Sequence, residues 1–245
     1  MKLIEKIQCD LKQILSAQRY SHSIGVMEMA VELAKLHNVD IESARIAGLL
    51  HDNAKEMSKE EMLEYVEKNN IKISEFERNN LHLLHGKIGA DIAKKKYGVN
   101  EQIQKAIEYH TTTNPNMDKL AKIIYISDKI ELTRSSDSFD INEEREMAKQ
   151  DLDKALLLII NITAKYLIEN NVGISVTQIL ISMCITVLLS IYPFILIMLA
   201  MLHYIKKHSF SEWFLLLMML VCVSSVSLVL RAGEISPYPN LAIMA

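Results

Sequence analysis

Through most of the first 171 residues, apolar side chains recur every three to four positions, the spacing of helices with one buried face. Leu3, Ile7, Leu11, Ile14 and Leu15 mark the first such helix. Gln18 to Leu36 forms a second, with Val26, Ala30 and Leu33 on the side that carries His22. Asp40 is placed to cap a third, which runs through Ala44 and Leu49 into His51. Ser58 and Glu61 fit a capping box for a helix ending near Asn69 and Asn70. The pattern then predicts helices from His82 to Lys96, stopped by Gly98, and from Asn100 to His110. A TTTNPN loop around Pro115 leads to a helix over Lys119 to Leu132 and a last one over Glu143 to Glu169. No strand alternation and no repeat stands out. The expected fold class is all-α, a bundle of about seven or eight helices.

The pattern breaks near Gly173. From Ile174 to Leu202 there is no charged residue, and Phe214 to Leu230 is again apolar. Roughly 20 apolar residues cross a bilayer as a helix. Residues 172–245 therefore read as an apolar tail with candidate transmembrane helices over about 176–202 and 213–230, a helical hairpin bent at Pro193. A second reading makes the tail foreign to the fold. The Lys206–Lys207 connection runs against the positive-inside bias, so topology stays open. The amphipathic start, MKLIEKIQCD, lacks the apolar stretch of a signal peptide. Residues 1–171 are expected in the cytoplasm, with a membrane anchor through the tail as an added option.

A net charge of −3, with no basic stripe, argues against nucleic acid as a partner. Cys9, Cys184 and Cys222 are far apart and form no framework. Chemistry concentrates instead in His51-Asp52, within GLLHDNAK, and in His22, His85, His110 and Asp128. Each lies in or at the end of an otherwise apolar helical stretch. Imidazole and carboxylate are transition-metal ligands, and burying them without a partner is costly. Adjacent positions on a straight helix point about 100° apart, so His51 and Asp52 can serve one ion only at a helix end. His22, His51, Asp52 and Asp128 then make a first ion site. His85 and His110 make a second, with Asp52 bridging. Two such ions can clamp a phosphate and activate a water for in-line attack. Lys55 lies one turn past the dyad and can bind phosphate or assist the leaving group; it joins Asp52 as a candidate catalytic residue. Arg134 follows Asp128 and can make a forked phosphate contact. Arg19 is a weaker candidate, better placed to pair with a carboxylate.

Five motifs in this order resemble the HD-domain metal phosphohydrolases, closest to the YqeK-like symmetrical diadenosine tetraphosphate hydrolases. They are RYSHSIGV at His22, AGLLHDNAK at His51 and Asp52, LHGKIGA at His85, YHTTT at His110 and KIIYISDKIELTR at Asp128. The likeness covers about residues 1–171. It implies an HD-domain helical bundle and an iron-containing centre that cuts dinucleoside tetraphosphates in the middle. By the same likeness, His22, His51, Asp52 and Asp128 hold metal. His85 and His110 hold a second metal or the phosphates, beside Thr111, Lys55 and Arg134. Asn53 departs from the pattern, standing where an apolar residue is expected, and the apolar tail is unlike the family. Two alternatives stay open. One is another HD-type nucleotide phosphomonoesterase or phosphodiesterase. The other is a membrane-tethered nucleotide-binding module without turnover.

Overall fold

The computed structural model describes residues 3–133 and 141–169, and every one of them that is regular is helical. In chain order the helices are α1 (Leu3–Ile14), α2 (Ala17–Leu36), α3 (Ile41–Leu50), α4 (Lys59–Lys68) and α5 (Glu75–Asn79). A 3-10 turn, Leu81–Leu83, leads into α6 (Leu84–Tyr97), followed by α7 (Glu101–Tyr109), α8 (Lys119–Ile130), α9 (Ile141–Gln150) and α10 (Leu152–Glu169). The all-α expectation holds. The apolar tail with its candidate membrane helices lies outside the described residues, as does Arg134. Among the described residues, no helix is long and apolar enough to cross a membrane.

Local signals set most boundaries. Asp40, Ser58 and Asn100 each accept a backbone N–H of the first turn they cap. Gly98 ends α6 at φ 67°, a left-handed conformation that costs glycine little. Two expectations need correction. The long helix expected over 143–169 is two helices, because the Asp151 carboxylate accepts the N–H groups of Asp153 and Lys154 and starts α10 afresh. Helix α5 was not anticipated, although Ser74 and Glu77 form the same reciprocal capping box as Ser58 and Glu61. These two account for the excess over seven or eight helices.

The main core draws Ile7 and Leu11 from α1, Leu33 from α2, Leu49 and Leu50 from α3, Ile107 from α7 and Ile123 and Ile124 from α8. Each such side chain contributes about 1.5–3 kcal/mol on burial. A smaller cluster joins Met62 and Val66 of α4 to Leu84 and Ile88 of α6, with Ala54 between. The segment after α3 therefore has Leu50 anchored in one core and Ala54 in the other, which pins the intervening His51 and Asp52. Helices α2 and α3 cross closely at Gly48: a Cβ there would sit 2.7 Å from Met27 Cα. Only glycine permits that approach.

Candidate metal centre

The six sequence-selected ligands converge. His22 lies in the second turn of α2, His51 caps the C-terminus of α3, and Asp52 begins the tight turns that follow it. His85 opens α6, His110 caps α7, and Asp128 lies in the last turn of α8. Leaving the helix after His51 removes the angular conflict between the adjacent pair. His51 stands edge-on between His22 and His110, with ring centroids 5.2 and 5.1 Å away, and His85 lies 5.0 Å beyond His110.

The rings are oriented by backbone. His51 Nδ1 lies 2.8 Å from the Gly48 carbonyl and His110 Nδ1 lies 2.6 Å from that of Ile107. His85 Nδ1 donates likewise to His82. A carbonyl can only accept, so Nδ1 carries the proton in each ring. In the neutral rings Nε2 is then a bare lone pair, and all three point inward. His85 Nε2 and His110 Nε2 are 3.1 Å apart, and they lie 3.1 and 3.3 Å from Asp52 Oδ1. His51 Nε2 is fully buried with no hydrogen-bond partner among the described residues, 3.7 Å from both Asp52 Oδ2 and Asp128 Oδ1. His22 Nε2 approaches Asp128 Oδ1 at 3.0 Å.

Lone pairs aimed at carboxylate oxygens in a buried space repel unless a cation lies among them. A buried acceptor left unpaired costs about 1–3 kcal/mol. The donor set therefore fits divalent metal. Among the described residues, two groups have ligand atoms close enough to share an ion: His22, His51 and Asp52, and Asp52, His85 and His110. Asp52 belongs to both, through different oxygens, and Asp128 reaches the first.

Burial lowers the His51 and His85 rings to about 4 from an ordinary 6.5, so both stay neutral at physiological pH. Burial alone would raise the Asp52 carboxyl, but His51, His110 and His85 hold it below the usual carboxylate range. At Asp128 burial is likewise outweighed, by Lys129 and His22. A pH dependence follows for metal-free protein. Between pH 6.5 and 4 the unfolded chain takes up protons that folded His51 and His85 refuse, so stability falls as pH falls. The slope approaches ~1.4 kcal/mol per pH unit for each ring. Urea unfolding in chelator across this window measures it; a pH-independent midpoint would contradict the buried neutral rings.

Three cations surround the acids. Arg19 Nη1 lies 3.4 Å from Asp52 Oδ2, and its Nε lies 3.8 Å from Glu56, the carboxylate pairing expected of it. Lys55 is drawn into the centre, with Nζ 3.0 Å from His85 Nε2 and 3.8 Å from Asp52 Oδ1. Lys129 Nζ lies 2.6 Å from Asp128 Oδ2. Thr111 packs against Gly86 at the α6–α7 contact. The unusual Asn53 is buried and donates to the Gly89 carbonyl at 3.1 Å, tying the dyad turn to α6. Two residues escaped sequence reasoning. Lys129 looks like any exposed helix lysine beside an acid. Glu131 is buried against His22 Nδ1 at 3.1 Å; its place one helical turn beyond Asp128 was the available signal.

The scaffold and site define a helical class in which a His–Asp pair at a helix end anchors a divalent-metal centre. The HD domain family matches residues 19–133. The symmetrical bis(5'-nucleosyl)-tetraphosphatase of Bacillus subtilis is 38% identical over 168 residues, 68% of this chain and 88% of that protein. The protein of the same name from Halalkalibacterium halodurans is 35% identical over 162 residues, 66% of this chain and 85% of that one. A crystal structure from Clostridium acetobutylicum, described as a predicted HD superfamily hydrolase involved in NAD metabolism, superposes with a TM-score of 0.71. It is 40% identical and is covered to 96%, against 74% of this chain. The chain belongs to the HD-domain hydrolases, in the branch that contains the symmetrical bis(5'-nucleosyl)-tetraphosphatases.

Proposed function

We propose that this protein hydrolyses dinucleoside tetraphosphates at the central phosphoanhydride, so that diadenosine tetraphosphate and water give two ADP. The observation that carries this reading is the double cluster sharing Asp52, built on a chain that spans most of relatives named for that activity. In the reaction a water oxygen bonds to one of the two middle phosphorus atoms. The bond from that phosphorus to the central bridging oxygen breaks, and the bridging oxygen leaves on the second diphosphate. Divalent ions at the two clusters would supply Lewis acidity toward the phosphate and acidify the attacking water.

The chain's own residues hold this geometry. His22, His51, Asp52 and Asp128 would carry one ion, and Asp52, His85 and His110 the other. Asp52 is also assigned as the group that would take the attacking water's proton. Lys55 lies within the centre, where its ammonium can move from His85 to a phosphate oxygen as negative charge builds on the leaving group. Arg19 and Lys129 offer further positive charge to a four-phosphate chain, and Arg134 and Thr111 are assigned to the same role from their motifs. The resident metal is proposed to be iron, which a mixed imidazole and carboxylate set accommodates.

The test uses full-length protein, anaerobically loaded with ferrous iron, with products separated over a panel of nucleotides. ADP as the sole product from diadenosine tetraphosphate is expected. ATP with AMP would overturn central cleavage. Turnover of nucleoside monophosphates or cyclic nucleotides alone would move the activity to another HD-type reaction. Elemental analysis of freshly purified protein decides the metal.

A further inference from the structure

We propose that Glu131 is a positioning residue for His22, fixing its Nδ1–H tautomer and raising the basicity of Nε2, and that it thereby strengthens the ion held on the His22 side. This rests on the metal reading given under Proposed function.

The argument begins with how a ligand histidine is oriented. His51, His85 and His110 all sit at helix ends and donate Nδ1–H to the carbonyl three residues earlier. Carbonyls in a last helical turn, or in the turn before a helix, lack the amide that would otherwise bond them. They are free to take the ring N–H. His22 has no such option. It lies inside α2, Ala17–Leu36, where the preceding carbonyls already accept helix amides. Its Nδ1 partner has to come from another element.

Glu131 supplies that partner, and the fold is built to hold it. It follows α8 immediately, one turn beyond Asp128, so one helix end presents both the direct ligand and the residue behind His22. Its side chain is 1% exposed. Thr133 donates to it twice, from the backbone N–H and the hydroxyl, each at 2.6 Å. Arg145 of α9 grips the carbonyls of Ile130 and Glu131 at 2.7 and 2.9 Å, holding the end of α8 in place. Gly25, one turn along α2 from His22, leaves the space the carboxylate fills: a Cβ there would lie 2.5 Å from Glu131 Oε2. A glycine inside a helix costs about 1 kcal/mol relative to alanine. Here that space admits the carboxylate.

The chemical difference is one of charge. Backbone carbonyls orient the other three rings with a neutral acceptor. A carboxylate draws the Nδ1 proton harder and leaves more electron density on Nε2. Carboxylate–histidine pairs behind a metal ligand typically change affinity about 10- to 100-fold when broken.

The experiment uses the full chain with Zn2+ as probe, followed by calorimetric titration and by elemental analysis after a chelator challenge. His22→Ala identifies the ion lost from the His22 side. Glu131→Gln, which keeps the shape and an acceptor but removes the charge, should weaken that same ion about 10-fold or more. Gly25→Ala, which leaves both side chains intact but displaces the carboxylate, should weaken it similarly. The Nδ1–H proton signal of His22 in zinc-loaded protein should shift upfield in Glu131→Gln and in Gly25→Ala. Wild-type zinc affinity and an unmoved signal in both variants would overturn the inference alone. Equal weakening at every ion would also overturn it, since that signals general loosening. Wild-type protein that binds no zinc would sink the metal reading, and this inference with it.

Discussion

Asp52→Asn lowers hydrolysis of diadenosine tetraphosphate by about 10³-fold or more, the largest loss expected from any single substitution. One oxygen of Asp52 faces His85 and His110, and the other faces His51 and Arg19. No other described side chain belongs to both ligand groups. Asparagine keeps the volume but removes the charge and turns one acceptor into a donor. That donor would point at a ring lone pair or at the bound cation. Metal catalysis supplies several kcal/mol, and each 1.36 kcal/mol is tenfold in rate. Elemental analysis should show the metal content falling with the rate. Full metal occupancy and near-normal turnover in Asp52→Asn would remove the shared-carboxylate centre from consideration.

Lys55→Met is expected to cut kcat by about 10- to 100-fold while leaving metal content intact. Methionine keeps much of the stem that packs beside the dyad and deletes only the ammonium. A charge-assisted hydrogen bond contributes about 1.5–3 kcal/mol, which sets that range. Burial pushes the Lys55 ammonium pKa down, with Asp52 and Asp128 opposing, so the group is a poorly hydrated cation ready for a phosphate. Its bond to His85 also places it in competition with metal for that lone pair. Metal affinity in Lys55→Met should therefore be equal to or higher than in wild type. Arginine should not restore the rate, because its wider fork does not fit where a point charge did. Steady-state kinetics paired with metal titration separates the effects. Loss of metal in Lys55→Met would recast the lysine as part of the scaffold.

Much of the centre could be read from residue order because most of its candidate ligands lie at helix ends. His51 and His110 fall where an apolar run stops, Asp128 falls in a last turn, and such positions leave a signature. His22 lies within a helix, and its signal was an imidazole on the side of α2 that also carries Val26, Ala30 and Leu33. Glu131 was missed for a physical reason: its role depends on space left by Gly25, more than 100 positions away in the chain. Lys55 illustrates the converse. Its spacing placed it on the dyad's side, but whether it faced solvent or the acids depended on how α6 brings His85 to the turn. Asn53 broke the expected apolar pattern because its partner is a backbone carbonyl of α6.

Periodicity, capping residues and ligand chemistry, all local properties, determined the helical class, most helix boundaries and the choice of six candidate ligands. Packing decided the rest. Close helix crossings, such as the one at Gly48, set which lone pairs meet, which oxygen of Asp52 each faces and which carboxylate stands behind His22. Those are distances between residues remote in sequence, and a linear pattern carries information about neighbours along the chain, not across it.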